Sequence, residues 1–212
     1  HFHNDNSIAV MRDIPGLVVA CPSNGLQAAR ILRECLRLAR IERRVVVFLE
    51  PIALYATRDL SIANDNRWAS IYPDTDGGLD FGEVSVEGDG SHLAIVSYGN
   101  GFYLSSQAAD ELCSKHRFDV CLIDLTWLSP LPIASLLKAL TNVKNILIVD
   151  ECRSSGNIAE GLVAKLYPEI RAPITVISAE DSFIATGPAY AATMPSKATI
   201  IETALELLEK RK

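Results

Sequence analysis

A surplus of positive charge is missing from this sequence. Its 20 lysine and arginine residues are outnumbered by 26 aspartate and glutamate residues, which gives a net charge of −6 at pH 7. A protein that grips a phosphate backbone needs basic residues to neutralise it, so this balance argues against a dedicated nucleic-acid-binding protein. Aromatic residues are also few, at 7%, but hydrophobic residues reach 49%, and that composition excludes a disordered chain. The 212 residues predict one or two domains with a full hydrophobic core.

Metal-binding motifs and membrane-spanning runs are absent as well. The five cysteines are scattered without a CxxC pair, and the four histidines form neither an HxxxH nor an HExxH spacing, so a protein-held transition metal has little support. An odd number of cysteines, most of them in or beside apolar runs, is typical of a reducing compartment.

No apolar run approaches about 18 residues, and the first ten residues lack the features of a signal peptide. We therefore expect a soluble, cytoplasmic protein with no membrane partner. Because the chain begins with His1 and its first strand follows within twenty residues, we expect a fragment of a longer protein.

Residues 17–49 have the pattern of a strand, a helix and a second strand. Residues 17–21 and 45–49 are short apolar runs rich in valine, which is typical of buried parallel strands. Between them, apolar residues recur every three to four positions, as on one face of a helix. The other faces carry four arginines, which we interpret as a solvated surface rather than an anion site: Arg30, Arg33, Arg37 and Arg40. The unit is a βαβ element with a right-handed crossover.

The remainder of the chain divides into a linker and a second α/β domain. Residues 56–81 show no sustained period and are rich in Pro, Gly, Asn and Asp, which indicates an interdomain linker, with residues 68–72 packed onto a neighbour. From residue 82 onward, strands and helices alternate. Strands are expected at 82–87, 93–98, 120–124, 145–150 and 174–178, and helices at about 103–115, 132–140, 158–167 and 196–209. The prediction is an α/β fold with four mostly parallel strands and an extra edge strand.

The sequence Gly99-Asn100-Gly101 lies between a predicted strand and a predicted helix. A strand, a glycine-rich turn and a helix are parts of a dinucleotide-binding fingerprint, but Leu104 stands where that motif needs a third glycine. We therefore favour a glycine-mediated turn, whose helix N-terminus faces an anion or a partner, over a nucleotide site.

Several segments, in this order and spacing, resemble the β part of thiamine-diphosphate-dependent 2-oxoacid dehydrogenases, a branch of the transketolase-like superfamily. They cover essentially the whole chain: HNDNSIAVMRDIPGL (3–17), VVACPS (18–23), FLEPIALY (48–55), GEVSVEGDGSHLAIVSYGNG (82–101), IDLTWLSPLP (123–132), ILIVDECRSSGNIAEGL (146–162) and SFIATGPAYAATMPSKATII (182–201). The opening HFHNDN is similar to versions in which the α and β parts are fused in one chain, often linked to branched-chain 2-oxoacids.

The resemblance implies a domain organisation and an activity. Residues 1–55 would be the C-terminal part of a pyrimidine-binding domain, and residues 82–212 a transketolase C-terminal-type domain. The intact enzyme would use thiamine diphosphate and magnesium to decarboxylate a 2-oxoacid and acylate a lipoyl group on a partner acyltransferase. The acidic residue that protonates the aminopyrimidine and the domain that grips the diphosphate would belong to the missing N-terminal half or α part. This fragment alone is therefore expected to bind no cofactor and to be inactive, and a homodimer is expected.

The same resemblance makes His3 the candidate catalytic residue. By position it matches the family's active-site histidine, which assists proton transfer near the thiazolium, and an unperturbed imidazole titrates near pH ~6.5. Asn4 and Asp5 are candidate orienting neighbours, although the family commonly has serine and glutamine there. The family's monovalent-cation site is in doubt, because the stretch before the second strand, residues 40–44, is basic here.

Two alternatives stay open. Transketolase and 1-deoxyxylulose-5-phosphate synthase share the domain order, but a sugar phosphate would require a basic residue where this chain has FLEPIALY. The second alternative is a non-catalytic module for dimerisation and acyltransferase docking.

Overall fold

The computed structural model describes residues 7–74 and 79–209. Within these ranges the elements follow one another as α1 (Ile8–Arg12), β1 (Val18–Ala20), α2 (Gly25–Ile41), β2 (Val46–Phe48), β3 (Ser85–Glu87), β4 (Ala94–Ser97), α3 (Gly99–His116), β5 (Cys121–Asp124), β6 (Trp127–Ser129), α4 (Ile133–Ala139), β7 (Ile146–Arg153), α5 (Ile158–Leu166), β8 (Ile174–Ala179) and α6 (Lys197–Glu209). No helix in this part of the chain is both long enough and apolar enough to cross a bilayer. All five cysteines are free thiols.

The larger sheet has five strands in the order β3-β5-β4-β7-β8. Strands β5, β4, β7 and β8 are parallel to their neighbours, while β3 pairs antiparallel with the outer edge of β5. Helices α3 and α6 cover one face of this sheet, and α4 and α5 cover the other. Both faces are therefore buried, as a parallel sheet requires. The α/β class, the mostly parallel sheet and the extra edge strand are confirmed.

The smaller sheet joins two strands of the N-terminal part of the chain to one strand from its second half, in the order β2-β1-β6. Strands β1 and β2 are parallel, as the βαβ pattern predicts, but the other edge of β1 pairs antiparallel with β6. Strand β6 is not among the strands that the sequence pattern predicts. Trp127 of β6 is fully buried among residues of β1 and α2. The core of the N-terminal lobe (residues 7–55) therefore depends on a side chain from the C-terminal half.

Residues 56–74 form a strap across α3. Trp68 packs edge-on against Tyr103, with ring centroids 4.9 Å apart, and also contacts Phe102. The Arg67 guanidinium donates to the Asp110 carboxylate at 2.7 Å. Of residues 68–72, which were expected to pack onto a neighbour, Trp68 does so, whereas Ile71 and Tyr72 are mostly exposed. The boundaries at residues 55/56 and 81/82 stay predictions.

We expect Gly90→Ala to destabilise the fold by more than about 2 kcal/mol. A Cβ at Gly90 would lie 2.6 Å from the Val120 backbone nitrogen and closer still to the Asp119 carbonyl, and backbone atoms cannot move aside as a flexible side chain can. Gly25→Ala is the matched control, because nothing lies within 4 Å of that Cβ, and it should change stability by less than about 1 kcal/mol. Urea denaturation of both variants measures the difference; equal midpoints would contradict the expectation.

Candidate functional site

A cavity of about 640 Å³ lies at the carboxyl ends of the parallel strands β1 and β2. Carboxyl ends of parallel strands are the usual location of ligand sites in α/β proteins. The chain turns sharply there, since Pro22 follows β1 and Asn24 caps α2 by accepting a hydrogen bond from the Gln27 amide at 2.9 Å. Residues from three segments line the cavity: Pro22, Ser23, Asn24, Gly25 and Ala28; Phe48, Glu50, Pro51, Leu54, Tyr55, Thr57 and Arg58; and Trp68, Ala69 and Ser70.

The wall that follows β2 combines apolar and ionisable groups. Phe48 and Leu54 supply apolar surface, and the Tyr55 hydroxyl donates a short hydrogen bond to the Glu50 carboxylate. That hydrogen bond raises the pKa of Tyr55 above its usual value, with smaller contributions from burial and from the negative charge of Glu50. Tyr55 therefore stays protonated at neutral pH and acts as a hydrogen-bond donor.

Behind the cavity, the N-terminal lobe meets the carboxyl edge of the larger sheet. We call this contact the seam; its residues are Cys21, Ser23, Gly99, Asp124, Thr126 and Glu151. The Gly99 amide donates to the Ser23 hydroxyl at 2.8 Å, and the Cys21 amide donates to the Thr126 carbonyl at 2.8 Å. Ser23 belongs to both the cavity and the seam, so the cavity wall is tied directly to the C-terminal domain.

Of the two acidic side chains in the seam, Asp124 accepts the weaker hydrogen bonds. Its side chain is 1% exposed, its Oδ1 accepts one long hydrogen bond of 3.3 Å from the Thr126 amide, and its Oδ2 has no partner among the described residues. Burial raises its pKa to about 7, and the negative charge of Glu87 adds to the rise, while the Ser23 hydroxyl and the Thr126 amide oppose it. Thr126 itself has a positive φ of 58°, which is uncommon for a β-branched residue.

Glu151 occupies the N-terminus of α3. Its Oε1 accepts from the Asn100 side-chain amide at 2.6 Å. Burial raises the pKa of Glu151 to about 7, although the Asn100 side chain and the backbone amides of Gly101 and Asn100 hold it lower than burial alone would. The position that an anionic ligand would take at this helix end is therefore filled by a carboxylate of the chain itself, which supports the turn interpretation of Gly99-Asn100-Gly101.

Helix α3 begins four residues earlier than the periodicity indicates, at Gly99 rather than near residue 103. Gly99 has a φ of 53°, and a Cβ at Gly101 would lie 2.5 Å from the Ser97 hydroxyl. The glycines therefore serve close packing of the helix start against β4 and β7, and they do not interrupt the helix.

Asp150 lies at the same edge and is fully satisfied. Its Oδ1 accepts from the Tyr98 hydroxyl at 2.6 Å and from the Cys152 amide at 2.9 Å, and its Oδ2 accepts from the Ala159 amide at 2.9 Å. These bonds tie together β4, β7 and the start of α5. In the sequence, Asp124 ends the predicted strand CLID that follows the glycine-rich turn, and Asp150 ends the predicted strand ILIVD, but the pattern assigned neither aspartate to a site.

His3, Asn4 and Asp5 lie outside the described residues, so the role of His3 stays a prediction. Within the described ranges, no group of three or more His, Cys, Asp or Glu side chains could hold a metal ion.

Comparisons with known proteins agree with this architecture. The family model "Transketolase, C-terminal domain" matches residues 82–200. The chain is 26% identical over 211 residues to the pyruvate dehydrogenase E1 component subunit beta of Bacillus subtilis (strain 168), and 27% identical to that of Staphylococcus aureus (strain Mu50 / ATCC 700699). Each alignment covers 98% of this chain and 60% of the relative, so the chain spans about 60% of the length of these relatives.

A solved structure shares the fold. The protein described as "Split gene transketolase, inactive beta4 tetramer" superposes with a TM-score of 0.73, at 17% sequence identity, over 97% of this chain and 61% of that one. At this level of identity the likeness concerns the fold alone.

Proposed function

The chain belongs to the transketolase C-terminal domain family, and from that premise we propose that it forms part of the β component of a thiamine-diphosphate-dependent 2-oxoacid dehydrogenase. The relatives named pyruvate dehydrogenase E1 component subunit beta support this, since they align with 98% of the chain. The remaining part of the enzyme, an N-terminal half or α part, would complete the active site.

One observation carries the proposal. The segments VVACPS and FLEPIALY, which carry the resemblance to the dehydrogenase family, are separated by 24 residues in the sequence, from Ser23 to Phe48. In the structure, residues of both segments line the same cavity at the carboxyl ends of β1 and β2. Two segments of the family resemblance that are apart in the sequence thus meet at the kind of sheet edge where α/β enzymes bind their ligands.

The described residues do not by themselves fit the magnesium-bound diphosphate of the cofactor, because they offer no cluster of acidic ligands. We propose that the missing part supplies those ligands. When bound, thiamine diphosphate supplies the electron sink for decarboxylation. The contribution of this chain is a proton-transferring imidazole at His3 and a wall of the pocket that includes Glu50 and Tyr55.

The finer proposal is a branched-chain 2-oxoacid as substrate, with a lipoyl acyltransferase as the acyl acceptor. The test uses the full-length protein with thiamine diphosphate and magnesium, and follows reduction of ferricyanide. We expect kcat/KM for 3-methyl-2-oxobutanoate to exceed that for pyruvate at least about tenfold, because one or two methylene contacts in an apolar pocket give discrimination of that size.

Each outcome of these assays distinguishes the proposed function from a different alternative. A preference for pyruvate would reject the branched-chain assignment and keep the dehydrogenase. Transfer of a two-carbon unit between sugar phosphates would reject the dehydrogenase in favour of transketolase chemistry. No turnover of any of these substrates by the full-length protein would favour the non-catalytic module.

One structural observation favours an assembly role beside catalysis. Strand β8 pairs only with β7 among the described elements, and Val176, Phe183 and Tyr190 on and after it are exposed. An open strand edge with apolar side chains is suited to pairing with another chain, and we propose that it takes part in forming a homodimer or in docking the acyltransferase.

A further inference from the structure

The seam brings acidic and thiol groups together without a basic partner. Asp124 ends β5, and Glu87 faces it from β3. Cys21, at the end of β1, interacts with Asp124, Glu151 and Cys152. None of the ion pairs between described residues involves Asp124 or Glu151. The titratable groups that act on Asp124 or Cys21 here, Glu87, Glu151 and Cys152, are all acidic groups or thiols.

We propose that Asp124 is a proton-controlled latch: the N-terminal lobe and the C-terminal domain stay tightly joined while Asp124 is protonated, and the seam loosens as Asp124 ionises. The inference does not depend on the proposed function. It concerns how firmly the two parts of this chain are held together.

The different environments of Asp124 and Asp150 explain why ionisation of Asp124 disfavours the closed seam. Both aspartates are buried at the carboxyl edge of the same sheet. Asp150 accepts three hydrogen bonds of 2.6–2.9 Å. Asp124 accepts one of 3.3 Å at Oδ1, is stabilised further by the nearby Ser23 hydroxyl, and has no partner among the described residues at Oδ2. A buried carboxylate with few donors is stable only in its neutral form. Burial raises the pKa of Asp124 to about 7, and the few hydrogen bonds to the carboxyl offset that rise only in part. When Asp124 ionises, the negative charge gains hydration only if the seam opens.

The direction in which pH shifts the opening of the seam follows from the difference in the pKa of Asp124 between the closed and the open form. The carboxyl binds its proton more tightly in the closed seam than in the open one, so rising pH favours the open form until the pH passes the raised pKa. With an ordinary pKa of 3.8 in the open form and about 7 in the closed form, the opening constant should rise about tenfold between about pH 6 and about pH 8.

The chain carries its own reporters of opening. Cys21 is buried in the seam, while Cys35 is equally buried in the core of the N-terminal lobe, where it packs with Val18, Leu38 and Trp127. Both thiols must become exposed before they react, and the general increase of thiolate with pH affects both alike. The ratio of their labelling rates therefore isolates opening of the seam from global unfolding.

The experiment is pulse labelling of the full-length protein with iodoacetamide at about pH 6 and about pH 8, with mass spectrometry to quantify each cysteine. We expect the Cys21/Cys35 ratio of rates to rise at least about tenfold in the unaltered protein. The rise should be about tenfold smaller in Asp124→Asn, where position 124 cannot ionise and Glu151, with a pKa of about 7, is the seam carboxyl that still titrates. Glu202→Gln, an exposed acidic position on α6, is the control and should keep the full rise.

A second variant covers the case in which Asp124→Asn does not fold. Glu87→Gln removes the facing negative charge that helps to raise the pKa of Asp124, so the rise in the ratio should shift to lower pH. An unchanged ratio in the unaltered protein, a rise of undiminished size in Asp124→Asn, or an unshifted profile in Glu87→Gln would each overturn the latch.

Discussion

Replacing His3 with alanine in the full-length protein is expected to lower the turnover of 2-oxoacids by about 100- to 10,000-fold, the usual contribution of a general acid or base. An imidazole can give and take a proton at neutral pH, and a methyl group cannot. We expect both decarboxylation and acylation of a lipoyl group to fall, since the proposal places His3 in proton transfer during both steps. Steady-state assays with a 2-oxoacid and a lipoyl-bearing acceptor measure the two losses separately.

The control for this prediction is His116→Ala. His116 is exposed at the last turn of α3, far along the chain from the candidate site, and its replacement should leave turnover unchanged. Circular dichroism must show that both variants fold as the unaltered protein does. If His3→Ala retains full turnover, the assignment of His3 as the catalytic residue is wrong.

Trp127→Ala is expected to lower the free energy of unfolding by about 3–5 kcal/mol, a large part of the stability of a typical domain. The indole is fully buried against β1 and α2, lies 5.1 Å from the Phe81 ring at 86°, and donates to the Asp80 carbonyl at 3.2 Å. Truncation leaves a cavity and an unpaired carbonyl at the point where β6 joins the N-terminal lobe. Urea denaturation followed by circular dichroism measures the loss.

Trp127→Phe separates the contribution of ring packing from that of the hydrogen bond. It retains an aromatic ring and loses only part of the volume and the N–H donor, so we expect a smaller loss than for alanine. Both variants leave Trp68 as the only tryptophan, and its fluorescence reports on the strap. If Trp127→Ala costs less than about 1 kcal/mol, the core of the N-terminal lobe does not depend on this residue as we describe.

Helices and strands were predictable from the sequence wherever a regular pattern of hydrophobic residues extended over many positions. Helix α2 and the strands β4, β5 and β7 appear close to their expected positions, because helical faces and buried strand runs leave a clear pattern in the sequence. Strand β6 (Trp127–Ser129) was missed because it lacks the continuous valine-rich run that marks the equally short strands β1 and β2 in the sequence. Its partner, β1, is more than 100 residues away in the sequence.

The candidate site was predictable only where local sequence motifs mark it. The segments around Ser23 and Glu50 were recognised as family motifs, and the structure places them around one cavity. The different environments of Asp124 and Asp150 could not be predicted, since both are aspartates that end an apolar strand. Their difference depends on hydrogen-bond donors: Tyr98 and Ala159 reach Asp150, whereas Asp124 Oδ2 is reached by no donor among the described residues.

The sequence by itself determined the α/β class, the order of the elements and the family to which the resemblance pointed, because burial periodicity and short motifs are local properties of the chain. Only the tertiary structure decided that β6 closes the smaller sheet, that Glu151 fills the N-terminus of α3, and that Asp124 is buried with almost no hydrogen bonds. These features arise where distant segments meet, and the free energy of a carboxylate there depends on which dipoles and charges those segments bring within a few ångströms of it.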